Sequence, residues 1–268
     1  MESNYLEIGE GRLHYYKMGR GKDALLCFHG FGQHALHYVP FEAKSGGKYT
    51  IYTFDLFYHG KSHWPACEQA LQPDALASAL LALFRKENFK KVSICGYSMG
   101  GKMVLCLIPA LAPYLEKVIL IAPDGVKTNF WYNLATYPHW SRRIFRYIIL
   151  HPRLFFNTAQ LLKKIGLVDK GLVKFASGQM NSTRKRRQVY CTWMVFRKFR
   201  PDLEEVGRHI KSEQLMVYMF VGKYDRIIRT ENMQRLLRWI PQQHQLKVLE
   251  AGHNTLINDV AALEEFPF

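Results

Sequence analysis

Short apolar runs alternate with helical patterns along most of this chain, and this alternation limits the folds that it can adopt. The segments ALLCFHG (24–30) and KVSICG (91–96) are nearly continuous apolar runs, as expected of strands buried on both faces. Between them, PDALASALLALFRKEN (73–88) has helical spacing, and Pro73 and Asp74 suit a helix start. Strands that alternate with helices predict an α/β fold, in which helices cover both faces of a mostly parallel sheet.

The same alternation is present near both ends of the chain. YLEIGEGRLHYYKMG (5–19) alternates apolar and polar residues and turns at residues 9–11, which predicts an antiparallel hairpin. Near the C-terminus, LMVYMFVG (215–222) predicts a strand, TENMQRLLRWI (230–240) a helix, and LKVLEAGHN (246–254) a strand that runs into a loop. Both end regions therefore extend the predicted sheet.

Between residues 126 and 208 the alternation stops. This segment is rich in aromatic residues and Arg, with helical patterns such as SRRIFRYIIL (141–150) and AQLLKKIGLVDKGLVKF (159–175). It contains 17 Lys and Arg against 4 Asp and Glu, whereas the rest of the chain contains 20 against 18. We therefore predict a core formed by 1–125 and 209–268, with a basic, aromatic-rich helical insertion at 126–208.

Composition argues against several classes of protein. The longest apolar run, VLCLIPALAPYL (104–115), contains two prolines and is shorter than the ~18 to 20 residues of a membrane span, so no transmembrane segment is predicted. The N-terminal residues include no basic leader or apolar stretch, which argues against a secretory signal. Five cysteines without paired spacing favour a reduced cytoplasmic compartment over a disulfide framework. Neither CxxC nor HExxH occurs, so no metal site is predicted.

The stretch ICGYSMGGKM (94–103) places Ser98 between glycines at the junction of a predicted strand and a predicted helix. A tight strand–turn–helix needs small residues beside its central serine, and Gly96 and Gly100 supply them. Serine is a weak nucleophile at neutral pH and requires a nearby base, usually a histidine oriented by a carboxylate. Ser98 is therefore the candidate nucleophile, provided that a histidine and an acid lie beside it.

Five motifs together resemble those of the α/β-hydrolase family: HGFG (29–32), DLFYHGKS (55–62), GYSMG (96–100), GKYD (222–225) and GHN (252–254). The resemblance covers most of the chain, and the order serine, aspartate, histidine is the family order. It implies an α/β-hydrolase fold in which the insertion at 126–208 is a helical cap.

The resemblance also implies roles for individual residues. Ser98 would be the nucleophile, His253 the base and Asp225 the acid that orients the histidine. The backbone N–H groups of Phe31 and Met99 would form the oxyanion hole. No cofactor is implied.

Three positions need separate comment. Asp124 follows a predicted strand and is a rival for the acid, although the loop context of GKYD favours Asp225. His29 is interpreted as a structural residue of its loop, because that loop acts through its backbone. The loop at 55–62 resembles the family pattern D-x-x-G-x-G-x-S, and we assign His59 to the position of the first glycine.

The basic charge of the insertion predicts an acidic partner or substrate, because such a field attracts anions. Candidates are an acidic carrier protein, a coenzyme A thioester and an anionic lipid surface; nucleic acid ranks last, because no recognition motif accompanies the charge. The candidate cap contacts are Arg142, Arg143, Arg146, Arg184, Arg186 and Arg187.

The resemblance favours a serine hydrolase of small acyl esters or thioesters. Within the family, a subgroup with a basic cap, the pimeloyl-acyl-carrier-protein methyl ester esterases, has a similar layout. Two alternatives remain open: a lyase that uses the triad as a base on a small anionic substrate, and a non-catalytic receptor for a small molecule.

Overall fold

A computed structural model describes most of the chain, namely residues 1–45, 47–127, 130–153, 156–157, 178, 180–240 and 245–264. The strands in chain order are Glu2–Ile8 (β1), Gly11–Met18 (β2), Asp23–Phe28 (β3), Tyr49–Phe54 (β4), Val92–Tyr97 (β5), Leu115–Ile121 (β6), Met216–Gly222 (β7) and Gln245–Leu249 (β8). The α-helices are Val39–Ser45 (α1), Pro73–Lys86 (α2), Met99–Leu111 (α3), Phe130–Thr136 (α4), His139–Leu150 (α5), Thr183–Val195 (α6), Leu203–Ser212 (α7), Gln234–Leu237 (α8) and Leu256–Ala261 (α9).

The described strands form one sheet in the order β1-β2-β4-β3-β5-β6-β7-β8. β1 and β2 form the predicted hairpin, in which Ile8 is opposite Gly11, and β2 is antiparallel to β4. All pairs from β4 to β8 are parallel, so the carboxyl ends of these strands lie at one edge of the sheet. The prediction of an α/β-hydrolase fold with a mostly parallel sheet is confirmed.

The central strands are buried because helices cover both faces of the sheet. Every residue of β5 is buried, and β3 is buried from Ala24 onward. In α2 the apolar residues at helical spacing, including Leu76, Leu80 and Leu83, are all buried. The continuous apolar runs of the sequence thus become the interior strands, whereas the alternating segment becomes the hairpin at the sheet edge.

The chain divides into two compact units. The first comprises Met1–Pro65, Gln72–Lys127 and Phe199–Phe268, and the second Ala66–Leu71 and Thr128–Lys198. The predicted boundary of the insertion at 208 is too late, because α7 belongs to the first unit with the sheet. Residues 66–71 also belong to the second unit, which no sequence pattern predicted.

In the second unit, the pattern SRRIFRYIIL forms most of α5. The other helical pattern of the insertion, at 159–175, lies outside the described residues. No described helix has the length and hydrophobicity that a bilayer crossing demands.

A disulfide joins Cys67 to Cys191, across 124 residues of sequence. This corrects the expectation from sequence, which found no paired spacing among the cysteines. Spacing could not reveal the pair, because the two cysteines come from segments that only the fold of the second unit brings together. Cys27, Cys95 and Cys106 are free thiols.

Replacing both Cys67 and Cys191 by Ala should lower the free energy of unfolding by about 2 to 4 kcal/mol, because the bond closes a long loop in the unfolded chain. Urea unfolding of the oxidised wild type and of the double variant measures this, with Cys106→Ala as the control for loss of a free thiol. Non-reducing peptide mapping should recover the Cys67–Cys191 pair. Two free thiols at these positions in protein prepared without reductant would contradict the assignment.

Candidate active site

Ser98 occupies the sharp turn between β5 and α3. Its backbone has φ 51° and ψ −115°, a left-handed conformation that is strained in a residue with a side chain. Neighbouring backbone fixes the turn: the Ser98 N–H donates to the Ile121 carbonyl at 2.9 Å, and the Ser98 carbonyl accepts from the Asp124 N–H at 2.9 Å. The side chain is thereby held outside the regular geometry of both strand and helix.

The glycines around Ser98 are required by close backbone approach. A Cβ at Gly100 would lie 1.9 Å from the Phe28 carbonyl oxygen, and one at Gly96 would lie 2.5 Å from the Gly100 carbonyl oxygen. Both distances are far shorter than any real carbon–oxygen contact. The glycines of the Gly-x-Ser-x-Gly pattern are therefore needed because the start of α3 packs closely against the ends of β3 and β5.

Ser98, His253 and Asp225 form a continuous hydrogen-bonded chain. The Ser98 Oγ lies 3.1 Å from the His253 Nε2, and the His253 Nδ1 lies 2.5 Å from the Asp225 Oδ2. The Asp225 side chain is fully buried and that of His253 is 10% exposed. With the Nδ1 proton directed to the carboxylate, Nε2 is free to accept the serine proton.

Asp225 is fixed by its own loop after β7. Its Oδ1 accepts from the N–H groups of Ile227 and Ile228, both at 2.8 Å, which leaves Oδ2 for the histidine. The rival acid, Asp124, instead forms an ion pair with Lys102 at 3.2 Å. Of the two candidate acids, the structure thus places Asp225 beside His253.

Tyr97 supports the histidine from the other side, and sequence reasoning did not identify it. The buried Tyr97 hydroxyl donates to the His253 carbonyl oxygen at 2.7 Å, and the two ring centroids are 5.1 Å apart. The Tyr97 ring also packs against Gly30, where a Cβ would lie only 2.7 Å from the ring. The position before the serine can hold many residue types in such a motif, so the pattern gave no signal.

One predicted oxyanion-hole amide, that of Phe31, lies in the loop after β3, and the other, that of Met99, lies at the start of α3. Met99 is the first residue of α3, so its N–H has no acceptor within that helix. Phe31 lies between Gly30, whose N–H donates to the Gln33 side chain, and Gly32, whose N–H donates to His59. Neither the Phe31 nor the Met99 N–H has an acceptor within the described part of the chain. Two free backbone amides beside a nucleophile can donate hydrogen bonds to a negatively charged oxygen.

Two buried histidines connect the Phe31 loop to the 55–62 loop. The His29 Nδ1 donates to the Gly30 carbonyl at 2.7 Å, and its Nε2 accepts from the Leu56 N–H at 3.0 Å. His59 repeats this arrangement, because its Nδ1 donates to the Phe57 carbonyl at 3.1 Å while its Nε2 accepts from Gly32 at 3.0 Å. Each histidine needs its neutral form for these contacts, since only a neutral ring nitrogen accepts.

Burial keeps both histidines neutral. It lowers the pKa of His59 to about 4, with smaller opposing effects from the Phe57 carbonyl and Asp55. Burial, reinforced by the neighbouring His59, also lowers the pKa of His29. The interpretation of His29 as a structural residue agrees with these contacts, and His59 is its unexpected counterpart.

The structure corrects the assignment of His59 to the first glycine position of the 55–62 loop. Counting from Asp55, that position is Tyr58, whose φ is 65°. The second glycine position is Gly60, with φ 51° and no space for a side chain, since a Cβ would lie 2.0 Å from the Asp55 carboxyl group. A left-handed backbone at both positions explains why the family pattern has glycines there.

A second serine–histidine–aspartate chain lies away from Ser98. The Ser3 Oγ lies 2.8 Å from the His14 Nε2, and the His14 Nδ1 lies 2.8 Å from the Asp55 Oδ2. Asp55 also accepts from the N–H groups of Ala35 and Lys61, which bind together the loops around it. Because β1 continues after Ser3, no helix start supplies free amides there. The hydrogen-bonded side chains of Ser3, His14 and Asp55 alone therefore do not define a site for acyl chemistry.

The six arginines predicted to contact substrate all lie in the second unit: Arg142, Arg143, Arg146, Arg184, Arg186 and Arg187. Arg142 contacts the His139 Nδ1 at 2.6 Å, and Arg146 pairs with Glu68 at 3.3 Å. Arg186 donates to the Ile149 carbonyl at 3.0 Å. A role of these arginines in substrate binding stays a prediction.

Lowering the pH from 6.5 to 4 should destabilise the protein through His59. The unfolded chain takes up a proton near the ordinary histidine pKa of 6.5, whereas the folded protein resists protonation until about pH 4. The unfolded state therefore binds more protons in this interval, and the free energy of unfolding falls as pH falls, by up to about 3 kcal/mol. Urea unfolding of the wild type at pH 7 and pH 5 measures the effect.

His59→Gln should make this pH dependence shallower, whereas His63→Gln, at an exposed histidine, should leave it unchanged. An equal pH dependence in wild type and His59→Gln would show that the buried ring does not resist protonation.

Comparisons with known proteins agree with this architecture. An esterase from Thermogutta terrifontis, solved with malate bound, has a TM-score of 0.68 at 17% identity, with 97% of this chain and 94% of that chain covered. An enol-lactonase from Burkholderia xenovorans LB400 has a TM-score of 0.65 at 17% identity, with 97% and 96% covered. At these identities the likeness establishes the fold alone.

Similarity in sequence is more limited. Epoxide hydrolase 4 of Mus musculus is 27% identical over 152 residues, which are 55% of this chain and 37% of that protein. The chain thus spans 37% of the length of the curated relatives it matches. The sequence profile of the alpha/beta hydrolase family, by contrast, matches residues 25–266. Because this profile matches nearly the whole length of the chain, the chain belongs to the alpha/beta hydrolase family.

Proposed function

We propose that this protein hydrolyses a carboxylic ester or thioester through an acyl intermediate on Ser98. The observation that supports this most directly is the hydrogen-bonded chain from the Ser98 Oγ to His253 and the buried Asp225. The amides of Phe31 and Met99 add the second requirement of acyl transfer, which is a place for a developing oxyanion.

In the first half of the reaction, the Ser98 Oγ attacks the carbonyl carbon of the substrate and the His253 Nε2 takes the serine proton. The carbonyl oxygen becomes negatively charged and accepts from the Phe31 and Met99 amides. Asp225 stabilises the protonated imidazole. When the tetrahedral intermediate collapses, the bond to the alcohol or thiol breaks and His253 donates its proton to that leaving group.

In the second half, water takes the place of the leaving group. His253 removes a proton from the water, and the resulting hydroxide adds to the acyl carbon. Collapse of this second intermediate breaks the bond to the Ser98 Oγ, which recovers its proton from His253. The products are a carboxylic acid and the original enzyme, so the cycle needs no cofactor.

The charge of the second unit supports an acyl substrate with an anionic portion or carrier. Its two segments, 66–71 and 128–198, contain 14 Lys and Arg against 2 Asp and Glu. A field of this sign raises the encounter rate with anionic substrates. The methyl ester of pimeloyl-acyl-carrier protein, the substrate of the subgroup with a similar layout, belongs to this class.

Ser98→Ala should reduce ester hydrolysis by several orders of magnitude and abolish labelling by a fluorophosphonate, because the nucleophile is lost. Rates on p-nitrophenyl acetate and butyrate, together with intact-protein mass spectrometry, measure both effects. Ser3→Ala is the matched control, because Ser3 contacts a histidine with similar geometry but has no adjacent helix start. It should retain activity and labelling.

The alternatives predict different results. A lyase or a receptor built on this fold would turn over neither ester and accumulate no acyl adduct on Ser98. Labelling that persists in Ser98→Ala and disappears in Ser3→Ala would move the nucleophile to the other serine.

Asp225→Asn should lower kcat by about a thousandfold or more, because an amide in place of the carboxylate favours the wrong tautomer of His253. Asp124→Asn removes only the partly exposed pair with Lys102 and should have a small effect. Steady-state kinetics of the two variants on p-nitrophenyl butyrate gives the comparison. A larger loss in Asp124→Asn would assign the acid to the end of β6.

A further inference from the structure

The helix α5 presents a row of large apolar side chains to solvent. Trp140, Ile144, Tyr147 and Leu150 are 60%, 50%, 54% and 65% exposed. Their spacing of three and four residues places them on one side of the helix. We call this row the outward face of α5.

The opposite side of α5 is also apolar, and it is packed inside the second unit. Ser141 and Ile149 are buried, and the Phe145 ring packs against Tyr190 and Trp193 of α6, with centroids 5.5 and 5.3 Å apart. Within the described part of this unit, packing therefore uses only one of the two apolar sides. Contiguous exposed apolar surface of this kind usually marks an interaction site.

Exposed basic residues lie on α5 and beside it, and one of them, Arg146, pairs with Glu68. The helix itself has Arg142, Arg143 and Arg146 and no acidic residue. The Arg186 Nε donates to the Ile149 carbonyl at 3.0 Å, which holds the first turn of α6 beside the end of α5. The first five residues of α6 also include three exposed basic residues, Arg184, Lys185 and Arg187.

We propose that the outward face of α5 docks on the surface of an anionic lipid bilayer. The surface combines aliphatic side chains that would enter the boundary between headgroups and acyl chains, a Trp and a Tyr suited to the headgroup level, and flanking basic residues that attract anionic lipid. An acidic protein would complement the arginines but would leave the aliphatic residues without a matching environment. Docking through α5 requires no chemistry at Ser98.

Binding of the whole 268-residue chain to vesicles tests the proposal. We expect co-sedimentation with a one-to-three mixture of phosphatidylglycerol and phosphatidylcholine, and much weaker binding to phosphatidylcholine alone. Raising the salt concentration should weaken binding, because salt screens the attraction between basic residues and anionic lipid. Brominated acyl chains should quench tryptophan fluorescence in the wild type and less in Trp140→Phe.

Two double variants distinguish binding through the outward face from non-specific binding through other exposed apolar residues. Ile144→Ser with Leu150→Ser should weaken vesicle binding at least about tenfold, because two aliphatic side chains no longer leave water. Met216→Ser with Val248→Ser is the matched control, because these residues are 42% and 48% exposed but lie on strands of the first unit. This control should bind as the wild type does. Thermal unfolding by circular dichroism verifies that both variants are folded.

Three results would overturn the proposal. One is failure of the wild type to bind the anionic vesicles at low ionic strength. If the wild type then bound soluble polyglutamate, an acidic protein would be the better candidate partner. Another is equal binding by wild type and by the folded Ile144→Ser, Leu150→Ser variant. The last is equal affinity for anionic and neutral vesicles, which would remove the role of charge.

Discussion

The structure around Ser98 depends on backbone packing that leaves no room for a single additional carbon atom. α3 begins so close to the end of β3 that a Cβ at Gly100 would overlap the Phe28 carbonyl oxygen. The same approach forces Ser98 into a left-handed backbone and sets its side chain apart from the strand and the helix. Since β3 leads directly into the Phe31 loop, one close contact fixes both the nucleophile and the amide opposite it.

Parallel strand order supplies the rest of the site. Ser98 follows β5, Asp225 follows β7 and His253 follows β8, and parallel strands bring these carboxyl ends to one edge of the sheet. The Ser98 and His253 side chains, 155 residues apart in sequence, therefore meet within 3.1 Å. The net positive charge of the chain, by contrast, is concentrated in the second unit.

Much of the first unit follows from local sequence. Buried strands and amphipathic helices each have their own spacing of apolar residues, so the α/β fold could be predicted without knowledge of distant contacts. Ser98 could be identified because the glycines required by its turn are its immediate neighbours. The assignment of His59 to the first glycine position of its loop was wrong. Tyr58 occupies that position and has the positive φ that a glycine would adopt there.

Features that depend on residues far apart in sequence were decided only by the tertiary structure. Local context favoured Asp225, but only the arrangement of β7 and β8 places it, and not Asp124, beside the histidine. The Cys67–Cys191 bond and the support of His253 by Tyr97 likewise join segments more than a hundred residues apart. Sequence by itself determined which elements form and which residue types are available for chemistry. Which of them meet was decided by strand order and close packing, because a pairing across the fold leaves no periodic pattern in the chain.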